Sequence, residues 1–404
     1  MAPTISKIGK EIKSSATLSL KEEISSLEEE YGFKIIDLTA GQPDTGPTED
    51  VSAALLEGGK LHKYGAVQGD PELRAILSEL INKEIGVRYD FRNITITVGA
   101  KGGLDILMRV LLEPGENVGI MTPLWVTYPE SVKLAHGVPC FLESDGDLRP
   151  NLEKLRREVE DKNIKVLLYS SPCNPSGVVY TRDELEGIAR IVKEKDIWII
   201  SDEIYAKFIF DGRKHESILS IEGLRNNAIL VDGPSKRFGV PGWRLGYVAG
   251  PGEVSKALTK LQGHINSGAS RPAQYAMRVA YTSQKAGKAT DYMRQRYERN
   301  RNIFVEGLNE VDGIGCVKPE GAFYAFPNIK KFFGCKYEFA GKEYMIGNSI
   351  DFRNFLLKKA QVAGVEGAPF GMDSHIRLSL ATKEENIANA LSSIKHAIEE
   401  LYSR

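Results

Sequence analysis

A doubly wound, mostly parallel α/β sheet is the fold class that residues 94–231 predict, on three observations. Short runs rich in β-branched residues recur between stretches of helical periodicity. The runs are apolar throughout rather than alternating, the pattern of strands covered on both faces. Glycine, proline and asparagine follow the runs, where the chain has to turn. At 404 residues the chain is too long for one comfortable core, which suggests two or three packed units.

In chain order, Ile5–Tyr31 is helix-prone, with Leu18, Ile24 and Leu27 set among charges, and reads as an amphipathic arm. Ile94–Val98 is a strand stopped by Gly99, and Leu104–Leu112 follows as a helix. Then come a strand at Asn117–Met121, a helix around Tyr128–Ala135 and a strand at Val138–Leu142. Lys165–Tyr169 precedes a helix over Arg182–Glu194, and Ile197–Ile200 and Ala228–Val231 supply further strands. This alternation is what builds a parallel sheet with helices on both faces. After Gly250 the pattern turns helical, with a long charged helix from about Tyr275 to Glu310. A separate α/β tail begins near Gly313 and runs to Arg377.

Composition narrows the function. A formal net charge of −1 gives no electrostatic footprint for nucleic acid or an anionic membrane. No apolar run approaches the roughly 18 residues of a membrane span, and residues 1–20 lack the apolar core of a secretory signal. Cys140, Cys173, Cys316 and Cys335 are scattered, which favours reduced thiols in a cytoplasmic setting. The six histidines show no metal-ligand spacing, so no metal is expected.

Ligands of open α/β sheets bind beyond the carboxyl ends of the strands. Gly99-Ala100-Lys101-Gly102, Asn174, Asp202 and Lys236 each follow a predicted strand, so they should share one crevice. Lys236, in the turn Gly233-Pro234-Ser235-Lys236, is placed to form an imine with a phosphorylated aldehyde, and Arg244 to take its phosphate. The glycine-rich helix start at residues 99–103 suits the same phosphate, but matches neither the nucleotide nor the dinucleotide fingerprint. Asp202 is the carboxylate that would keep a ring nitrogen protonated, or a cap of the next segment. Glu203 should point the other way if the strand continues. Tyr205 and Asn174 could reach a ring hydroxyl, or be an ordinary tyrosine and a turn residue. Trp125 could stack on a ring or sit in the core. Arg377, inside an apolar strand, needs an anion, whether ligand or protein carboxylate.

Together these residues resemble the class I aminotransferases of fold type I, which use pyridoxal 5′-phosphate. The likeness runs from Leu38-Thr39-Ala40-Gly41-Gln42-Pro43-Asp44 to Arg377-Leu378-Ser379. It is carried by Ser171-Pro172-Cys173-Asn174-Pro175-Ser176-Gly177, Ser201-Asp202-Glu203-Ile204-Tyr205 and Ser235-Lys236-Arg237-Phe238, in family order and spacing. The resemblance implies a large doubly wound domain over residues 46–285. Residues 1–45 would give an arm and part of a small α/β domain built from both chain ends, and 286–404 an interdomain helix and the rest of it. It implies that Lys236 carries the cofactor and shuttles a proton, with Asp202 on the ring nitrogen and Tyr205 and Asn174 on the ring oxygen. Trp125 would stack on the ring, while Ser235, Arg244 and the loop of Ala100, Lys101 and Gly102 hold the phosphate. Arg377 would grip the substrate α-carboxylate beside Asn174, Trp125 and Gly41. Tyr64 would cross to the phosphate of a partner subunit, which implies a homodimer with shared sites.

Lys101 and Thr17 resemble residues that meet the distal carboxylate in the branch of prokaryotic aspartate and aspartate/prephenate aminotransferases. Lys101 could equally face solvent or the cofactor phosphate. The expected reaction moves an amino group between aspartate and 2-oxoglutarate. An aromatic or broad-specificity aminotransferase is the alternative, followed by a lyase using the same cofactor. Two departures stand out: Gly233 occupies a position where the family often has Ser or Thr, and the usual Pro-Gly-x-x-Phe-Gly reads Gly367-Ala368-Pro369-Phe370-Gly371.

Overall fold

The computed structural model describes residues 4–12 and 16–403, except the side chains of 16–19 and 21. Its centre is a seven-stranded sheet, with β1 Ile94–Thr97, β2 Asn117–Met121, β3 Val138–Leu142, β4 Ile164–Ser170, β5 Trp198–Asp202, β6 Ala228–Asp232 and β7 Gly246–Ala249. The spatial order is β1-β7-β6-β5-β4-β2-β3. The β3–β2–β4–β5–β6 block is parallel, while β7 runs antiparallel to both β6 and β1.

Successive residues of the central strands enter different cores, as coverage of both faces requires. Leu167, Ile199 and Leu230 join one buried apolar cluster, and Val166, Leu168, Ile200 and Val231 the other. The second cluster includes Leu104, Leu107 and Met108 of the helix Gly99–Leu111, which lies on that face. A further core forms around the C-terminal half, where Phe304, Phe323, Phe352 and Ile394 pack together. That layer takes in the beginning of the chain as well: Ile36 and Asp37 pair in parallel with Val362 and Ala363, and Leu38 O accepts from Ser379 N at 2.7 Å. A small antiparallel sheet of Val365–Glu366, Ile376–Ser379 and Tyr324–Ala325 holds Arg377 on its middle strand.

Several expected bounds move. The helix after β1 opens at Gly99, on the glycine-rich run, and ends at Leu111; Gly99 adopts φ +72° and turns the chain at once. The long helix expected over 275–310 is two helices, Arg271–Thr282 and Gln284–Asn309, divided at Ser283. Ser283 caps the second by accepting from Ala286 N at 3.1 Å. The expected strand at Ile197–Ile200 extends to Asp202. β7 gave no sequence signal: it is four residues long and bounded by glycines.

Candidate active site

The antiparallel β7 is what completes the site. Strands β1, β2, β4, β5 and β6 end on one edge of the sheet, and β7 starts there. Arg244, just ahead of β7, is thereby delivered to the edge where the turns after the other strands lie. The contact is close. A Cβ on Gly99 would sit 2.5 Å from Arg244 Nη2, and one on Gly246 would sit 2.2 Å from Ala100 N. At Gly246 the neighbour is backbone, so only glycine fits; at Gly99 the positive φ of +72° favours glycine as well.

Between this edge and the C-terminal layer lies a cavity of about 580 Å³. Its lining brings together Gly41, Ala100, Lys101, Trp125, Asn174, Asp202, Tyr205, Ser235, Lys236, Arg244 and Arg377, which were separate motifs in the sequence. Gly102, one residue further into its helix, is not on the wall. Tyr64 lies away from the cavity and is 90% exposed. Thr17 falls in the helix Ala16–Tyr31, but its side chain is outside the described residues.

Lys236 follows β6 in the short helix Pro234–Arg237 and donates from Nζ to Gly41 O at 2.6 Å. Burial, with the charges of Arg377, Arg244 and Lys101 and against the opposing pull of Asp202, lowers its pKa to about 8. Asp202, the last residue of β5, accepts from Tyr128 Oη at 2.8 Å and from Ile204 N at 3.2 Å. Burial raises its pKa to about 6, although the Tyr128 hydrogen bond and Lys236 favour the charged form. Tyr205 shares a 2.7 Å hydrogen bond with Tyr324, and burial pushes its hydroxyl well above the ordinary range.

Arg377 is 4% exposed. Its Nη1 donates to Asn174 Oδ1 at 3.1 Å and its Nη2 to Thr39 O at 2.9 Å. Tyr324 and Phe370 lie over its guanidinium, with ring centres at 4.6 and 5.0 Å. Its Nε has no hydrogen-bond partner among the described residues, and the acceptors it does hold there are an amide and a backbone oxygen, not a carboxylate. A buried guanidinium on the cavity wall with no carboxylate beside it calls for an anion. Lys101 holds its ammonium 5.1 Å from the centre of the Trp125 ring, and burial, then Arg244, lower its pKa.

Gly233 has a packing reason to be glycine. A Cβ there would stand 2.9 Å from Gly246 Cα and 3.0 Å from Leu245 O. A Ser or Thr would force β6 and the start of β7 apart. Two wall tyrosines escaped the sequence reading. Tyr128 carried only a helical signal, and Tyr324 read as part of an apolar tail; nothing local marks either hydroxyl as facing a ligand. Among the described residues there is no cluster of metal-ligating side chains and no helix long and apolar enough to cross a membrane.

Comparison with known proteins agrees over the whole length. The family model for aminotransferase class I and II matches residues 34–394. An aspartate aminotransferase of Streptomyces avermitilis is 36% identical over 96% of this chain and 95% of its own. An aspartate/prephenate aminotransferase of Thermus thermophilus is 34% identical over 94% and 95%. Among solved structures, the aspartate aminotransferase from Thermus thermophilus with maleate superposes with a TM-score of 0.89 at 33% identity, covering 98% of this chain and all of that one. The aromatic aminotransferase from Pyrococcus horikoshii gives 0.84 at 34% identity, over 96% and 99%. The matches cover nearly all of the sequence: this chain belongs to the class I and II aminotransferases and is a fold type I, pyridoxal-phosphate-dependent enzyme.

Proposed function

We propose that the enzyme moves the amino group of aspartate to 2-oxoglutarate, with Lys236 as the catalytic amine. In this reading Asp202, Tyr205, Asn174, Trp125, Ser235, Arg244 and the Ala100–Gly102 turn hold the cofactor. Arg377, Asn174, Trp125 and Gly41 hold the substrate α-carboxylate end, and Lys101 and Thr17 its distal carboxylate. The observation that carries the reaction is the Lys236 amine, half-buried on the cavity wall, donating to Gly41 O, with a pKa lowered to about 8. Part of it is neutral near physiological pH, as a nucleophile and base must be.

Pyridoxal phosphate, when bound, supplies the electron sink for the bond broken at the amino acid Cα. Three features of this chain fit it. Arg244 and the start of the helix Gly99–Leu111 form a cradle too close for a Cβ, with free N–H groups suited to a phosphate. Asp202 is a buried carboxylate already held on one oxygen by Tyr128, which suits a protonated ring nitrogen. The Arg377 guanidinium, on the wall and without a carboxylate partner among the described residues, suits a substrate carboxylate. Within that frame Arg377 orients the amino acid, and Lys236 Nζ takes its Cα proton. Tyr324 and Phe370 exclude water from the Arg377 side.

An acidic substrate is supported by the charge of the wall, where Lys101, Lys236, Arg244 and Arg377 outnumber Asp37 and Asp202. The relatives bearing the name aspartate aminotransferase, and the neighbour holding maleate, a dicarboxylate, point the same way. A broader or aromatic specificity is the second reading, favoured by Trp125, Tyr324 and Phe370 on the same wall. We also propose a homodimer with shared sites, supported by the fully displayed Tyr64 ring, and a cytoplasmic location, supported by four unpaired cysteines. The test is a donor screen with 2-oxoglutarate as acceptor, then the reverse with oxaloacetate, pyruvate and aromatic oxo acids. Aspartate should exceed alanine and phenylalanine by about tenfold or more in kcat/KM. For the dimer, mixing inactive Lys236→Ala and Tyr64→Phe chains should restore activity; independent sites would leave the mixture as inactive as its parts.

A further inference from the structure

Beside Asp202 lies a second buried carboxylate that the reaction does not use. Glu203 is 2% exposed and does not line the cavity. The strand period carries it to the opposite side from Asp202. There its Oε1 accepts from Ser201 Oγ at 2.8 Å and Ser217 Oγ at 2.6 Å, and its Oε2 pairs with His215 Nε2 at 2.6 Å. Burial alone would lower the His215 pKa, but the Glu203 carboxylate outweighs it and raises it.

The topology gives these bonds a consequence. The chain leaves β5 at Asp202, runs outward through Tyr205, Phe208 and Phe210, and returns to the same carboxylate at His215 and Ser217. Phe208 and Phe210 are buried in the C-terminal core, which anchors the far side of this excursion. Tyr205 lies between the two anchors, with its hydroxyl on Tyr324. A carboxylate that joins a strand end to both returning residues fixes the path between them, because all its partners must be satisfied together in a buried place.

We propose that Glu203 is a positioning residue: by closing the loop 203–217 onto the end of β5, its carboxylate holds Tyr205 at the cavity and Asp202 facing into it. This rests on the reading of Tyr205 as a cofactor contact given above. Glu203→Met keeps the bulk and removes the bonds, and Ser217→Ala removes one of them and spares the fold if Glu203→Met does not accumulate.

The first measurement is hydrogen exchange of the apoenzyme. Loop 203–217 should exchange faster in both variants; wild-type protection in both would overturn the closure. The second is the pH dependence of the bound cofactor's absorbance in Glu203→Met, Tyr205→Phe and the double variant. Glu203→Met should shift that titration in the direction Tyr205→Phe does, and the double variant should match Tyr205→Phe alone. A normal titration in Glu203→Met beside a shifted one in Tyr205→Phe, or shifts that add, overturns the proposal. If Tyr205→Phe itself leaves the titration unmoved, the cofactor role of Tyr205 is what fails, and the exchange experiment still decides the closure. The kcat of Glu203→Met should fall on the order of 10- to 100-fold, as for a catalytic group displaced by a fraction of its contact distance.

Discussion

The floor of the cavity and its mouth are built on opposite plans. On the floor, Asp202 is held by Tyr128, Tyr205 by Tyr324 and Lys236 by Gly41, so each working group already has a partner inside the chain. At the mouth, Arg244 and Lys101 are cationic and open to solvent. Groups that must keep a set geometry and protonation state are buried and tied. Groups that must recognise a charged ligand are left with capacity unspent. Arg377 belongs to both: two of its nitrogens are tied and the third is free.

Breaking the floor should cost most. Lys236→Ala removes nucleophile and base together, so turnover should disappear, while cofactor still binds without a covalent link. Borohydride reduction and peptide mapping of the wild type should place the cofactor on Lys236; another lysine would refute the assignment. Asp202→Asn follows. It should lower kcat well beyond the roughly 10²-fold typical of losing one weaker polar contact, and excess cofactor should not restore it. Near-normal kcat in that variant would mean another acid serves the ring.

Tyr128→Phe sharpens the contrast with a smaller change. It removes one hydrogen bond to a buried carboxylate, so Asp202 should titrate above about 6 and kcat should drop roughly 10-fold. A carboxyl-selective spectroscopic titration of the apoenzyme reads the first effect without turnover, and an unchanged Asp202 titration would count against this tie.

The smallest effect lies beneath the floor. Asp232 accepts from Tyr247 Oη at 2.7 Å and Gly233 N at 2.6 Å, yet burial raises its pKa to about 7. Because the folded value is raised, the native protein holds this proton more tightly than the unfolded chain does. The contribution is present below pH ~4, the ordinary Asp value, and is lost as pH rises through about 7. Asp232→Asn cannot lose it, so the Tm of the apo variant should gain on wild type by a few degrees, about 1–4 °C, across that window. Parallel Tm curves would show that Asp232 titrates normally.

How far all this was legible in the sequence follows the same divide. Strands covered on both faces leave continuous apolar runs, so β1, β2 and β4 to β6 and the turns after them, with Asn174, Asp202 and Lys236, could be read directly; the edge strand β3, with Val138 and Phe141 exposed, was legible from its apolar composition alone. β7 could not, because four residues, the first of them a glycine, leave no period to detect. Without it the route of Arg244 to the phosphate end was invisible, though its place near Lys236 was not. Tyr128 and Tyr324 were hidden for another reason: their apolar rings satisfied the packing pattern, and only the fold turns their hydroxyls toward Asp202 and Tyr205. Gly233 looked like a lost phosphate contact and proved to be a point where two backbones meet.

The division of labour between floor and mouth is tested most directly by kcat/KM for aspartate and for alanine in wild type and Lys101→Ser. If Lys101 reads the distal carboxylate, the aspartate value should fall about tenfold or more while alanine stays within roughly twofold, since a charge contact made by one substrate alone is lost. Equal losses for the two substrates would instead put Lys101 on the cofactor phosphate, and would contradict the claim that the mouth selects an acidic substrate.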